Sequence, residues 1–311
     1  MIIKRNLKEI QNPAFAVVTI GTFDGVHLGH KKIIEKLVTS AKINNYKSTI
    51  LTFFPHPRMV LQQDADIKLI NTLDEKIEIL KNAGLNQLII HPFTKEFSRW
   101  RALEYVEEIL VKKINAKKVI IGYDHRFGRN RTATINDLKE FGDSFNFDVE
   151  EISAEEINEV SVSSTKIRKA LENGDIKTAN AYLGYNFMLT GIVVKGKALG
   201  REINFPTANI YIEENYKLIP KKGVYTISSI INNTIVYGMM NIGMNPTVEG
   251  TKKTIEVHFF DFNDNLYNKK IQVNLLARQR DEKKFDSVDA LKEQLYKDKD
   301  IALNYIKSIN A

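Results

Sequence analysis

Short apolar runs at 15–20, 48–54, 87–91, 117–121 and 147–152 alternate with helix-patterned stretches near 29–43, 72–83, 96–113 and 134–142. Parallel strands cannot be joined by a tight turn. A chain that repeats strand, helix, strand in this way therefore builds a parallel sheet with helices packed on its faces. The helix over 72–83 has both ends marked. Thr72 and Glu75 stand in capping-box spacing, and Gly84 follows where a left-handed C-terminal residue is needed. Two short helices near 164–172 and 175–183 close this part of the chain.

From residue 187 onward the texture changes. Runs at 188–194, 223–231, 234–242, 254–262 and 270–276 are β-rich, and turn residues (Asn-Asn, Asn-Pro, Asn-Asp-Asn) separate them at short intervals. Such closely spaced strands pair antiparallel, as a small barrel or a sandwich. Apolar residues at helical spacing predict a last helix over 287–308. The break near 184–187 divides the 311 residues into two segments, 1–184 and 187–311, each of ordinary domain size.

The chain is 43% hydrophobic and 27% charged, a globular balance. No apolar run reaches bilayer length, and the start, Met-Ile-Ile-Lys-Arg-Asn, lacks the apolar centre of a signal peptide. The absence of cysteine excludes disulfides and thiolate metal sites. A cytoplasmic protein without a membrane partner is the expectation. Of the net charge of +7, residues 1–186 carry 27 Lys/Arg against 24 Asp/Glu, and residues 187–311 carry 18 against 14. Spread in this way, without basic runs, the excess suits small anionic ligands at least as well as a nucleic-acid track, and no nucleic-acid partner is expected.

In open parallel sheets, ligands bind beyond the carboxyl ends of the strands. Two loops at such ends carry chemistry: Gly-Thr-Phe-Asp-Gly-Val-His-Leu-Gly-His (21–30) after the first run, and Gly-Tyr-Asp-His-Arg-Phe-Gly-Arg-Asn-Arg (122–131) after the fourth. Gly21 and Gly25 permit a tight turn with close backbone approach, and Gly29 does the same at the helix start. His30 falls in the first helical turn, where free amides and the helix dipole attract anions, and His27 can point the same way. Three readings compete: a phosphate pocket, a metal site of Asp24, His27 and His30, or two histidines packed in a core. The glycines favour the first, and the spacing matches none of the strong metalloprotease patterns.

The segment Ser-Val-Ser-Ser-Thr-Lys-Ile-Arg (161–168) adds a third piece. Ser163 or Ser164 is a natural N-cap, while Lys166 and Arg168 put cations where they oppose the helix dipole. A bound polyphosphate would account for them; solvent-facing cations on an ordinary capped helix are the alternative.

In the second segment, residues 193–210 are the densest stretch. Gly196 and Gly200 allow a loop that moves or cradles phosphate, yet the Lys-Ser/Thr of a Walker loop is missing. Thr207 and Asn209 share one face if their segment is extended, where both could help hold Mg²⁺ through neutral oxygens beside phosphates. A Pro-Thr turn entering a strand is the plainer reading. In Thr-Ile-Glu-Val-His-Phe-Phe-Asp-Phe (254–262), alternation puts Ile255, Val257 and Phe259 on one face and Glu256, His258 and Phe260 on the other. Glu256 either faces solvent or serves as a general base in a cavity.

The loop at 21–30 resembles the His-x-Gly-His motif of the nucleotidyltransferase superfamily, and Ser-Ser-Thr-Lys-Ile-Arg (163–168) resembles its second signature. With Phe-Phe-Pro-His-Pro (53–57) and Gly-Tyr-Asp-His-Arg-Phe-Gly (122–128), the first segment is more narrowly similar to bacterial FAD synthetase. The resemblance implies a Rossmann-like α/β nucleotidyltransferase domain that adenylylates FMN with ATP and releases pyrophosphate. It implies His27 and His30 on the ATP phosphates and Ser163, Ser164 and Arg168 on the polyphosphate. Gly21, Phe23, Asp24, Gly29 and Asp124 would lie near the nucleotide, and Pro55, His56 and Pro57 beside the flavin.

In the second segment Gly-Arg-x-x-x-Phe-Pro-Thr-Ala-Asn (200–209), Pro-Lys-Lys-Gly-Val-Tyr (220–225), Asn-Ile-Gly-Met-Asn-Pro-Thr (241–247), Ile-Glu-Val-His-Phe-Phe-Asp-Phe (255–262) and Arg-Asp-Glu-Lys-Lys-Phe (280–285) follow in the order seen in riboflavin kinase. That resemblance implies a six-stranded antiparallel barrel with a C-terminal helix, using MgATP to phosphorylate riboflavin. Glu256 would be the base, Thr207 and Asn209 would help hold Mg²⁺, Gly196 and Gly200 would border the ATP, and Arg280 and Phe285 would lie near the flavin. Together the two segments resemble the bacterial bifunctional enzymes, for which FMN and FAD are products rather than resident groups. Three positions depart from the family pattern: Asn204 and Asn268 replace usual glycines, and Asn245 replaces a frequent arginine. Two rivals stand beside this reading. One is a nucleotidyltransferase for a different phosphorylated acceptor with a non-kinase β-domain; the other is a non-enzymatic flavin- or RNA-binding protein, for which aromatic-flanked basic stripes are lacking.

Overall fold

The computed structural model describes residues 1–62, 66–123, 125–153, 162–196, 200, 203–247 and 250–310, without the side chains of 245–247 and 250–252. They form two compact units, Met1–Ser164 and Thr165–Ala311.

The first unit is built on six parallel strands: β1 (Ile2–Lys4), β2 (Ala16–Ile20), β3 (Lys47–Phe53), β4 (Gln87–His91), β5 (Ala116–Gly122) and β6 (Asp148–Ile152), in the order β1-β4-β3-β2-β5-β6. The helices are α1 (Leu28–Ile43), α2 (Pro57–Leu61), α3 (Leu73–Asn82), α4 (Ala102–Tyr105), continued by a π-helical Val106–Lys113, and α5 (Ile135–Phe145). The strands read as unbroken apolar runs because both faces are covered. Val17, Ile50, Leu88 and Ile120 pack with Ile34, Leu37, Ile77 and Leu80 of α1 and α3. Val18, Leu51, Ile89 and Val119 pack with Val106, Leu110 and Leu138 on the other side. All five expected strands are present within a residue or so, whereas β1 and α2, three and five residues long, carry too little pattern to be read. The helix expected over 96–113 is interrupted: a 3₁₀ turn at Phe97–Arg99 precedes α4 and its π-helical continuation.

The chain leaves this unit in α6 (Ser164–Asn173), followed by α7 (Ile176–Leu183). A closed antiparallel barrel follows: β7 (Met188–Val194), β8 (Ala208–Tyr211), β9 (Gly223–Ile231), β10 (Thr234–Thr247), β11 (Gly250–Phe259) and β12 (Lys270–Arg280), in the order β10-β11-β8-β7-β12-β9, and then α8 (Val288–Asn310). Closure settles the choice between barrel and sandwich. Leu189, Val193, Ile227, Ile242, Val257, Val273 and Leu275 are buried at alternate positions and fill the interior. Met239 and Phe260, on the outer face, pack against Ala302 and Ile306 of α8. β10 and β11 run past the predicted apolar stretches, because Met244 to Thr247 continue the ladder against Gly250 to Lys253 without apolar alternation. The second unit starts about twenty residues before the compositional break near 184–187. The reason is that α7 is tied to the barrel: Asn180 donates to the Leu275 carbonyl and accepts from the Phe187 amide.

The capping box at Thr72 is present with both bonds, Glu75 N–H to Thr72 Oγ1 at 3.2 Å and Thr72 N–H to Glu75 Oε2 at 2.9 Å, and both residues are buried. Thr72→Ala is expected to lower the unfolding free energy of the first unit by about 1–2 kcal/mol in urea titrations.

Candidate active sites

β2 has β3 on one side and β5 on the other, so the strand order reverses between β2 and β5. The loops after these two strands are the two that carry chemistry, and the crevice of such a sheet opens between them. Loop 21–30 has an unusual backbone. Phe23, Gly25 and Val26 have φ of 47°, 83° and 36°. Left-handed backbone suits Gly25 but strains a bulky Phe and a β-branched Val, by about 1–3 kcal/mol each. Surrounding groups hold it there. The Thr22 carbonyl accepts from Lys76 Nζ (2.7 Å) and Thr52 Oγ1 (3.4 Å), and the Asp24 carboxylate accepts from the Ile70 amide (3.0 Å). The Asp24 carbonyl accepts from Ser164 Oγ (2.9 Å), which joins the second signature to the first. Gly21 is not left-handed; a side chain there would press on the Phe23 ring, 3.0 Å from Cε2.

His27 caps α1, its Nδ1 accepting from the His30 amide at 3.4 Å. That acceptor role puts the neutral ring's proton on Nε2, which can donate to an anion. The His27 and His30 rings stack with centroids 3.7 Å apart, and Phe23 packs 5.0 Å from His30. Burial pushes His27 down to about 4, against the pull of Asp24. His30 lies well below its ordinary range, first through burial, then through the neighbouring His27 and Lys76. Its Nδ1 is buried without a hydrogen-bond partner among the described residues. Both rings are therefore uncharged hydrogen-bonding groups at neutral pH. Gly29 is buried in the first turn of α1. Among the described residues no three His, Cys, Asp or Glu side chains form a cation cage.

Asp124 lies outside the described residues. Ser163 is half-buried, and Arg168 stands one turn beyond Ser164 on α6. Pro55, His56 and Pro57 follow β3 at its carboxyl end, with the Phe54–Pro55 peptide cis; His56 caps α2 and Pro57 is its first residue. Beyond the same strand ends lies an aromatic cluster that sequence patterns did not single out. Phe97 contacts Phe53 (5.6 Å), His91 (4.7 Å), Phe93 (5.7 Å) and Trp100 (5.5 Å). Tyr105 and Phe127 extend it. The signal was the aromatic spacing in 93–100, which helical periodicity obscured. Lys76 was missed for a similar reason: an isolated lysine in a helix reads as solvent-facing, yet this one is 4% exposed.

In the second unit, Glu256 pairs directly across the ladders with Asn209 on β8 and Asn241 on β10. Cross-strand partners point to the same side, so one row on the outer face of the barrel carries three oxygen-bearing side chains. Glu256 is half-buried there, neither fully solvent-facing nor enclosed. The segment before β8 is anchored by His258, whose Nδ1 lies 2.8 Å from the Pro206 carbonyl and whose ring packs against Phe205 and Phe260. Thr207 lines a cavity of about 640 Å³ with Asn204, Val257, Phe259 and residues 262–267. The hydroxyl of Thr207, the amide of Asn209 and the carboxylate of Glu256 are hard oxygen donors, a set that fits Mg²⁺. A side chain at Gly196 would collide with the Asn209 amide, and one at Gly200 with the Phe205 carbonyl. Arg280 makes a bidentate pair with the buried Asp298 of α8 (2.8 and 2.5 Å) and stands 5.9 Å from the Phe285 ring. The departures at Asn204 and Asn268 have a physical explanation. Their φ values are 63° and 62°, a region that asparagine tolerates where glycine is usual. The Asn245 side chain lies outside the described residues.

Fold and site together define a two-unit protein in which a doubly wound α/β sheet with two stacked histidines at a helix N-terminus precedes a closed barrel with an oxygen-donor row. Residues 9–166 match the FAD synthetase family and residues 183–306 match the riboflavin kinase family. The bifunctional riboflavin kinase/FMN adenylyltransferase of Buchnera aphidicola (from Schizaphis graminum) is 39% identical, covering 98% of this chain and 97% of its own. The proteins so named in Bacillus subtilis (33%, 97% and 96%) and Escherichia coli K12 (34%, 91% and 90%) are similar over nearly the same extent. A crystal structure from Streptococcus pneumoniae, described as a macrolide-efflux protein, superposes with a TM-score of 0.88 at 33% identity, covering 97% of this chain and 98% of that one. The chain belongs to the bifunctional riboflavin kinase/FMN adenylyltransferase family. The riboflavin kinase match over 183–306 sets aside the rival with a non-kinase β-domain. No helix among the described residues is long and apolar enough to cross a membrane.

In the unfolded chain His27 takes up a proton near pH 6.5, and in the folded chain only near pH 4. Between these values the unfolded state binds more protons, so stability falls as pH drops from 6.5 to about 4 and this contribution changes no further below. The loss from this group is at most about 3 kcal/mol. Urea unfolding above pH 6.5 and near pH 4 should show a smaller drop for His27→Gln than for the parent protein.

Proposed function

We propose that the chain makes FAD from riboflavin at two separate sites, with named residues in each. In the kinase module (187–311), Glu256 accepts the proton of the riboflavin 5′-hydroxyl as its oxygen attacks the γ-phosphorus of ATP; the bond to the β-phosphate oxygen breaks and ADP leaves. Thr207 and Asn209 would hold Mg²⁺, which when bound neutralises phosphate charge. Gly196 keeps the backbone close to Asn209, and Gly200 does the same at Phe205. Arg280 and Phe285 border the flavin.

In the adenylyltransferase module (1–184), a phosphate oxygen of FMN attacks the α-phosphorus of ATP and pyrophosphate leaves. That oxygen is already deprotonated, so the site needs positioning and charge stabilisation more than a base. His27 and His30, their rings stacked, donate to phosphate oxygens together with amides at the start of α1. Gly21, Phe23, Asp24 and Gly29 shape the loop, Ser163, Ser164 and Arg168 hold the polyphosphate end, and Asp124 lies near the nucleotide. Pro55, His56 and Pro57 border the flavin together with the aromatic cluster around Phe97. The protein works in the cytoplasm, where ATP and riboflavin meet.

The observation that carries this reading is the convergence of motifs distant in sequence: Ser164 on Asp24 in one unit, and Asn209 beside Glu256 in the other. The test is an assay that separates FMN from FAD, run with riboflavin and then with FMN as substrate. Glu256→Gln should slow FMN formation by about 10²–10⁴ while added FMN is still converted. His30→Ala should slow FAD formation by about 10²–10³ with FMN formation intact. Near-normal kinase rates in the first variant would remove Glu256 as the base. Loss of both activities in a folded variant would refute separate sites.

A further inference from the structure

Lys76 belongs to neither motif, yet among the described residues it is a buried cation that holds loop 21–30. It stands on the buried face of α3 beside Glu75, Ile77 and Leu80. Burying an ammonium is unfavourable unless it is hydrogen-bonded and near opposite charge, so a lysine in such a position has a specific partner. Here the partner is the Thr22 carbonyl, at 2.7 Å, the last backbone acceptor before the left-handed stretch of loop 21–30. Asp24 supplies the opposing charge, and burial otherwise works against the ammonium.

We infer that Lys76 is a positioning residue of the adenylyl-transfer site, clamping the Thr22 carbonyl and so holding the turn that presents His27 and His30 to the nucleotide phosphates. The inference rests on the phosphate-site reading given above. Two physical effects combine in one side chain. The hydrogen bond holds the strained turn from beneath, as Ile70 does through the Asp24 carboxylate and Ser164 through the Asp24 carbonyl. The charge opposes protonation of His30, whose ring would otherwise gain a proton more readily. The charged and titratable groups acting on His30 are His27 at its own helix start and Lys76 from α3, with Asp24 facing both of them. A protonated His30 would repel any charge on the stacked His27, 3.7 Å away between centroids, and disturb the pair.

The experiment uses the full chain carrying Lys76→Met or Lys76→Gln, with riboflavin phosphorylation by the same polypeptide as an internal control. FAD formation from FMN and MgATP is followed against pH, and the His30 ring is titrated by NMR. With Lys76→Met, kcat for FAD formation should fall by about tenfold to a hundredfold while riboflavin phosphorylation stays within about twofold. The acid limb of the FAD profile and the His30 titration should both move to higher pH. Lys76→Gln keeps a donor but no charge, so it should recover part of kcat yet retain the displaced limb. If Lys76→Met does not fold, Lys76→Gln decides on the same limb. A purely structural role would lower activity in both variants and leave limb and titration where they were; that result, or normal FAD formation in folded Lys76→Met, overturns the inference. If the parent chain forms no FAD, the phosphate-site reading fails instead, and an unmoved His30 titration separately rejects the action of Lys76.

Discussion

The parallel pairing of β2 with β3 on one side and β5 on the other is the constraint from which the first site follows. All five residues of β2 are buried, so the strand is held at the centre of the sheet by packing on both faces. Because the order reverses there, the loops leaving β2 and β5 diverge to opposite faces and a crevice opens at the carboxyl ends. The left-handed backbone of Phe23, Gly25 and Val26 turns the chain sharply into α1, so that this helix begins close after the carboxyl end of β2. Such a turn would relax in isolation. It persists because Lys76, Thr52, Ile70 and Ser164, from four separate stretches of chain, each hold one of its polar groups.

Burial gives the same small volume its electrical character. Desolvation keeps His27 and His30 neutral, so in the proposed phosphate site they would act through directed N–H groups rather than through net charge. Lys76 retains Asp24 as a counter-charge in that surrounding, where a charge is felt more strongly than in water. Neutral rings stack there without the repulsion that two imidazolium rings 3.7 Å apart would bring.

The barrel solves a similar problem by register. Closure leaves no strand free to slip, since a shift of one residue would turn Val257 outward and Glu256 into the apolar interior. The ladder therefore holds Asn209, Glu256 and Asn241 in one row. His258, two residues on and on the same face, fastens the Pro206 carbonyl and so fixes how the chain enters β8 at Thr207. Arg280 and Asp298 bind the end of β12 to α8, which covers the adjoining part of the outer face at Met239 and Phe260.

Much of this was legible in the residues themselves. Strand runs 15–20 and 87–91, the capping box at Thr72 and the alternation in 254–262 are local patterns, set by the periods of helix and strand and by the hydrogen bonds a short segment can make. The motif residues His27, His30, Thr207, Asn209 and Glu256 were likewise visible as chemistry at telling spacings. Other features left no local mark. β1 is three residues long, β8 begins in what reads as a turn, and Lys76 looks like any surface lysine on an amphipathic helix. The glycine-like backbone at Asn204 and Asn268 and the need for Gly196 against Asn209 appear only once distant segments meet. Sequence by itself determined which segments are strands and helices and where polar and titratable groups cluster, because those depend on neighbours a few positions away. Which loops share a crevice, which histidine is neutral and which lysine is buried were decided by tertiary structure, since strand order and desolvation are properties of the packed whole.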